Sequence, residues 1–150
     1  MTKKNKNKNR VPQVAALPIR TGIDGKTQVL VITSRDTGRW VIPKGWPMDE
    51  LSDPKAALQE AFEEAGVEGD IIKKPIGTYD YLKTMDKGTD DIEVRVTVYL
   101  LNVQNELPRW PERKERIRDW VVPQIAAERV DEPELKAIIS EISPVQRLAG

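Results

Sequence analysis

The chain has 150 residues, enough for one domain with a buried core, and balances 24 Lys and Arg against 24 Asp and Glu. A net charge of zero leaves no overall field to draw in nucleic acid or a membrane surface. The absence of cysteine and histidine excludes disulfides, thiolate and His-zinc metal sites and any histidine general base, so acid–base and metal chemistry falls to carboxylates, lysines and tyrosines. Residues 1–10 carry Lys3, Lys4, Lys6, Lys8 and Arg10 with no apolar residue after Met1, which predicts a solvated, disordered basic tail. No apolar run approaches the ~20 residues that span a bilayer. The N-terminus also lacks the apolar core of a signal peptide, so the expected location is the cytoplasm. Residues 11–150 read as a single domain without internal repeats.

Residues 11–20 form a first strand of small and aliphatic side chains, and Asp24-Gly25 marks a hairpin-type turn. Residues 27–34 are a short apolar run that suits a strand buried on both faces. After the turn at Asp36-Thr37-Gly38 comes a short strand at 39–43, then a loop from Pro47 to Asp53. Asp53 is a good N-cap and Pro54 suits the first helical position, so a helix is expected to run to Ala65 and stop at Gly66. Farther on, Val94, Val96 and Val98 alternate with Glu93, Arg95 and Thr97, marking a strand over 92–103 with one buried face. A polar turn at 86–91 precedes it and a loop at 104–114 follows. Residues 115–122 read as a strand and 123–130 and 132–142 as helices, the last with Leu135, Ile138, Ile139 and Ile142 on one face. Strands, a helix, strands and then helices predict an α+β layer fold.

The 53–65 helix carries the chemical signal. Glu60, Glu63 and Glu64 lie three and four residues apart and share one patch. Leu58, Ala61, Phe62 and Ala65 mark an opposite, buried face. Like charges at that spacing cost a helix roughly 0.2–0.5 kcal/mol per pair, a penalty that a cation held between them reverses. Hard divalent cations such as Mg²⁺ take oxygen ligands and bind through a few carboxylates plus substrate phosphates. On that stretch alone a plain solvated face would account for the glutamates.

The upstream sequence decides otherwise. Residues 45–67 resemble the signature of the Nudix hydrolases, G-x5-E-x7-R-E-U-x-E-E-x-G-U, with U a bulky aliphatic residue. Gly45, Glu60, Glu63, Glu64, Gly66 and Val67 match in register, Ala61 stands at the first U, and Pro43-Lys44 precede the glycine. Leu51 and Gln59 depart from it, standing where the family has a Glu and an Arg that are usually paired to brace loop against helix. Losing both charges leaves no unpaired partner. The two residues are therefore expected to form a neutral, packed brace; Asp49, Glu50 and Asp53 lie nearby, and a one-residue loop shift would bring Glu50 into play.

The resemblance implies a mixed β-sheet sandwiched between helices. It also implies Mg²⁺- or Mn²⁺-dependent cleavage, by water, of a diphosphate linked to another group. Glu60 and Glu64 would hold metal, and Glu63 would be a further ligand or the base. Gly45 would let the backbone approach metal and phosphates. Basic side chains expected to complete a phosphate cradle are Lys44 and Arg39, with Arg20 and Arg95 ranked behind them. Trp110, Glu112, Arg118 and Trp120 are similar to the loop and strand of the diphosphoinositol-polyphosphate and diadenosine-polyphosphate phosphohydrolase branch. Trp46 would stack on a base or pack its loop, and packing is the expectation. Expected substrates are diadenosine polyphosphates, nucleoside triphosphates or diphosphoinositol polyphosphates. The competing expectations are a Nudix-fold binding module without catalysis and an enzyme acting on RNA 5′ ends, its only nucleic-acid contact being a weak one through the tail.

Overall fold

The computed structural model describes residues 10–85 and 90–142. The expectation of a disordered tail falls on residues 1–9 and that of a polar turn on 86–89, outside the described residues. Eight strands lie among the described residues: β1 (Val11–Thr21), β2 (Thr27–Thr33), β3 (Trp40–Val41), β4 (Lys44–Gly45), β5 (Val67–Ile71), β6 (Gly77–Lys83), β7 (Ile92–Glu106) and β8 (Arg118–Val121). The helices among the described residues are α1 (Asp53–Ala65), α2 (Pro123–Arg129) and α3 (Pro133–Ser140), and a 3₁₀ turn covers Arg113–Glu115.

The sheet is mixed. Its central path runs β3-β2-β1-β7-β5, with β4 on β1, β6 on β7 and β8 on β2. Among the described residues only β1 and β7 run parallel, from Val11 opposite Val94 to Ile19 opposite Asn102. Alternation along these strands sorts side chains into two cores. Val14 and Ala16 of β1, Leu30 and Ile32 of β2, and Tyr99 and Leu101 of β7 pack under α1. Ala15, Leu17, Ile19, Val29, Val31, Val94, Val96 and Val98 face the other way, under α2 and α3. The result is the expected helix–sheet–helix sandwich, an α+β fold. No described helix is long and apolar enough to cross a membrane.

Helix α1 begins one residue earlier than expected. Ser52 is its N-cap, with extended backbone and no side-chain cap bond, so Asp53 and Pro54 fall in the first turn. There Asp53 complements the helix dipole. Gly66 ends the helix in the left-handed region, φ 66°, and its N–H donates to the Phe62 carbonyl. The inward face is almost all alanine, Ala56, Ala57, Ala61 and Ala65, which lets the helix lie close on the sheet. Two expectations need correction. Phe62 is only partly buried and belongs to neither core, while Glu64 is 8% exposed and counts with the buried residues. The glutamate patch is therefore not an outer face: the wedge of close contact includes Glu64.

Strand β5 follows α1 directly and was not visible in the sequence. Its VEGDI run is polar, and it pairs β7 through a bulge at Glu68/Gly69. A side chain at Gly69 would collide with the Asn102 carbonyl, so the glycine is there for close approach rather than as a turn.

Candidate active site

The PKG turn and helix α1 meet at one end of the sheet. Lys44 and Gly45 pair with Ala15 and Val14 of β1, which fixes the turn against the central strand. The Lys44 backbone N–H donates to Glu64 Oε1 at 3.3 Å. The Glu60 carboxyl lies against Gly45 so closely that a β-carbon at position 45 would overlap it. Glu60, Glu64, Lys44 and Gly45 all line a cavity of about 410 Å³. Its other walls bring Arg35, Arg39, Lys83 and Arg116 together with Glu112, Tyr81, Gln13 and Trp46.

Of the residues expected from sequence, Glu60, Glu64, Gly45, Lys44 and Arg39 converge here. Glu63 does not line the cavity. Its carboxylate accepts a 2.8 Å bond from Gln59 on the preceding turn. Arg20 and Arg95 are also elsewhere. Arg20 is paired with Glu106 and lies 4.3 Å above the Trp120 ring, while Arg95 is held by Asp80 at 2.8 Å. Both are therefore committed to neighbours on the sheet rather than to a phosphate cradle. Trp46 corrects the packing expectation, because it is 46% exposed and lines the cavity.

The neutral brace is also corrected. Leu51 is 37% exposed and Gln59 is engaged with Glu63. Loop and helix are fastened elsewhere. Trp110 Nε1 donates to the Glu64 carbonyl at 3.1 Å, and the Glu112 N–H donates to the Glu63 carbonyl at 3.0 Å. Arg118 donates to the carbonyls of Ala65 at 2.8 Å, Gly66 at 3.3 Å and Leu107 at 3.0 Å, with its guanidinium 4.0 Å from the Trp110 ring. These satisfy carbonyls that the end of a helix leaves open. Arg118→Ala is expected to lower stability by about 2–3 kcal/mol, the scale for bonds from a charged donor, measured by urea unfolding. A loss under ~0.5 kcal/mol would mean that water serves those carbonyls equally well.

Burial, then repulsion from Glu64, pushes Glu60 from the ordinary 4.5 up to about 8. Burial also raises Glu64, against the pull of Arg116. The Lys44 ammonium is lowered by burial, with Glu64 opposing, and lies 5.2 Å from the Tyr81 ring. Tyr81 is pushed up to about 12 by burial and donates to Gln13 Oε1 at 2.8 Å. Arg39 is paired with Glu132 at 3.0 Å.

Two adjacent, desolvated carboxylates that repel each other fit a hard cation. Among the described residues no group of three acidic, His or Cys side chains is arranged to hold a metal ion. Mg²⁺ rarely needs one: it binds through one or two carboxylates and completes its shell with waters and substrate phosphates. Glu60 and Glu64 fit that donor set, and the cationic walls fit the phosphates. Glu112 carried no role in the sequence pattern, and Arg35, Lys83 and Arg116 join the site only in the fold. The charge density of residues 112–118 was the available signal.

The fold agrees with comparison to known proteins. The NUDIX domain family matches residues 11–142, and the chain belongs to that family. It is 34% identical over 112 residues to Nudix hydrolase 12, mitochondrial, of Arabidopsis thaliana, covering 72% of this chain and 55% of the relative. Identity is 35% over 117 residues to Nudix hydrolase 16, mitochondrial, of the same organism, covering 76% and 64%. The chain thus spans between half and two-thirds of these curated relatives' length. Among solved structures, a C. elegans Ap4A hydrolase binary complex superposes with a TM-score of 0.63 at 19% identity, covering 93% of this chain and 97% of that one. At that identity the likeness speaks for the fold.

Proposed function

We propose that this protein is a metal-dependent pyrophosphohydrolase, cleaving a diphosphate linked to another group by attack of water on phosphorus. The observation that carries the reading is the meeting of a partly buried and a buried carboxylate, Glu60 and Glu64, at Gly45 in a cavity also lined by Arg35, Arg39, Lys44, Lys83 and Arg116. A phosphoryl centre is shielded by its own oxygens, so the site must neutralise charge and position the nucleophile. Mg²⁺ or Mn²⁺ held by Glu60 and Glu64 would supply Lewis acidity and lower the pKa of a bound water. Arg39 and Lys44 would hold substrate phosphates, and Tyr81 and Gln13 would shape the floor between them. Glu63 stands beside the cavity, bonded to Gln59, which favours a supporting role over a direct one.

Candidate substrates follow from the relatives' names. The chain is 33% identical over 94 residues to diphosphoinositol polyphosphate phosphohydrolase 3-beta of Bos taurus, and its fold is that of an Ap4A hydrolase. Diphosphoinositol polyphosphates, diadenosine polyphosphates and nucleoside triphosphates therefore head the panel to assay, with Mg²⁺ and with Mn²⁺ and with products identified. A binding module without catalysis is the second reading, favoured by the absence of Glu63 from the cavity lining. Metal-linked stabilisation without product on the whole panel would select it.

The carboxylate pair also sets a pH dependence. Below about pH 4.5 the Glu60 carboxyl is protonated whether the chain is folded or not. Between about 4.5 and about 8 the unfolded chain releases that proton while the folded one keeps it. This group therefore lowers metal-free stability as pH rises through the window. A divalent cation must displace the same proton, so its affinity rises over the same interval. The Mg²⁺-induced increase in Tm is expected to be larger at pH 8 than at pH 6. An increase independent of pH would remove Glu60 from the metal site.

A further inference from the structure

The 51/59 charge pair is absent, yet an arginine reaches the same helix from the other side of the cavity. Arg116 lies between the 3₁₀ turn and β8, and its side chain is only 8% exposed. Its Nε donates to Glu112 Oε1 at 2.8 Å, and its Nη1 donates to the Thr33 carbonyl at the end of β2 at 3.0 Å. Its Nη2 is 3.7 Å from Glu64 Oε2. Three elements thus meet on one planar group: β2, the 107–116 loop and α1.

On the reading of the cavity given above, we infer that Arg116 is a positioning residue that fixes the Glu64 carboxylate for metal binding. Two of its edges are anchored by a carboxylate and a backbone carbonyl, which sets the plane of the guanidinium before it meets Glu64. The 3.7 Å approach is a charge contact rather than a short hydrogen bond, so Glu64 Oε2 keeps lone pairs for a cation. The other oxygen of Glu64 is steadied by the Lys44 N–H. Glu64 is therefore oriented from both sides, by the Lys44 N–H of β4 and by Arg116 of the loop, although the helix itself contributes no arginine. Coulomb repulsion alone makes a cation beside a metal site unfavourable. A buried arginine in that wall is explained by orientation, because neighbours of metal ligands set their geometry and basicity. Its Nε and Nη1 are already engaged, which argues against a primary role in gripping substrate.

The test uses Mn²⁺ as the probe, titrated by electron paramagnetic resonance without substrate on the whole chain and on Arg116→Lys and Arg116→Gln. Metal-free melting curves first establish a temperature at which each protein is folded. Lysine keeps the charge but cannot reproduce a three-edged planar contact. Both variants are expected to bind Mn²⁺ about 10–100-fold more weakly, the usual loss when a neighbour of a ligand is removed. Turnover should fall with them at fixed metal, with KM for the substrate that the panel selects nearly unchanged. Unchanged affinity in Arg116→Lys with tighter binding in Arg116→Gln would show a charge effect alone and overturn the inference. Unchanged Mn²⁺ affinity with a raised KM would show a substrate contact and overturn it as well. If the parent chain itself binds no Mn²⁺, the proposed function falls. If the parent binds and turns over substrate while Arg116→Lys matches it, only the role of Arg116 falls.

Discussion

Glu64→Gln is expected to cut turnover by at least about a hundredfold with the fold intact, because metal charge stabilisation of a phosphoryl transition state is worth several kcal/mol. Glu64 is 8% exposed and touches the Lys44 N–H and Arg116 Nη2, so the amide keeps the volume and one acceptor while removing the charge. Glu60→Gln should be as damaging to activity and opposite in its effect on stability. Burial and the charge of Glu64 make Glu60 hold its proton up to about pH 8. Glutamine imitates that protonated form at every pH. Without metal, Glu60→Gln should melt like the parent near pH 5 and above it near pH 8, where the parent is being forced to ionise. A variant that is more stable and inactive identifies a group kept for function at the expense of stability. The measurement is a pair of metal-free melting curves at the two pH values beside a turnover assay with Mg²⁺. Near-parental turnover in both variants would end the assignment of this site.

What the sequence disclosed was the part written in short-range pattern. Period-two alternation in β7, the alanines and Gly66 of α1, and the register from Gly45 to Val67 were readable because each is set by neighbours a few residues away. Strand β5 was hidden because its pairing with β7, not its own polar sequence, makes it a strand. The burial of Glu64 was misjudged for a related reason. Helical spacing says which residues share a face, and only the position of the PKG turn says what lies over that face. Arg116 was missed because the loop that carries it is charged throughout, and nothing local distinguishes the arginine that turns inward from Arg113 and Lys114. Conversely, Arg20 and Arg95 looked suitable as isolated cations and proved to have partners, Glu106 and Asp80, 86 and 15 residues away.

Gly45→Ala should separate folding from chemistry more cleanly than any change to the carboxylates. A β-carbon at position 45 would overlap the carboxyl carbon and both oxygens of Glu60. The backbone there cannot move away easily, since Gly45 is paired with Val14 on β1 and the adjacent Lys44 N–H is bonded to Glu64. What yields is the far end of the Glu60 side chain, a rotamer change of order 1 kcal/mol. The fold should therefore survive with a stability within ~1 kcal/mol of the parent. Turnover should not, because a displacement of about 1 Å at a catalytic group costs on the order of a hundredfold. Mg²⁺ should also stabilise the variant less than the parent, since one of two carboxylates has left its place. The glycine in the PKG turn is thus read as space reserved for Glu60 rather than as a conformational necessity, because its backbone is not in the left-handed region. A folded Gly45→Ala protein with parental turnover and metal response would show that the Glu60 carboxyl does not need its place against the turn.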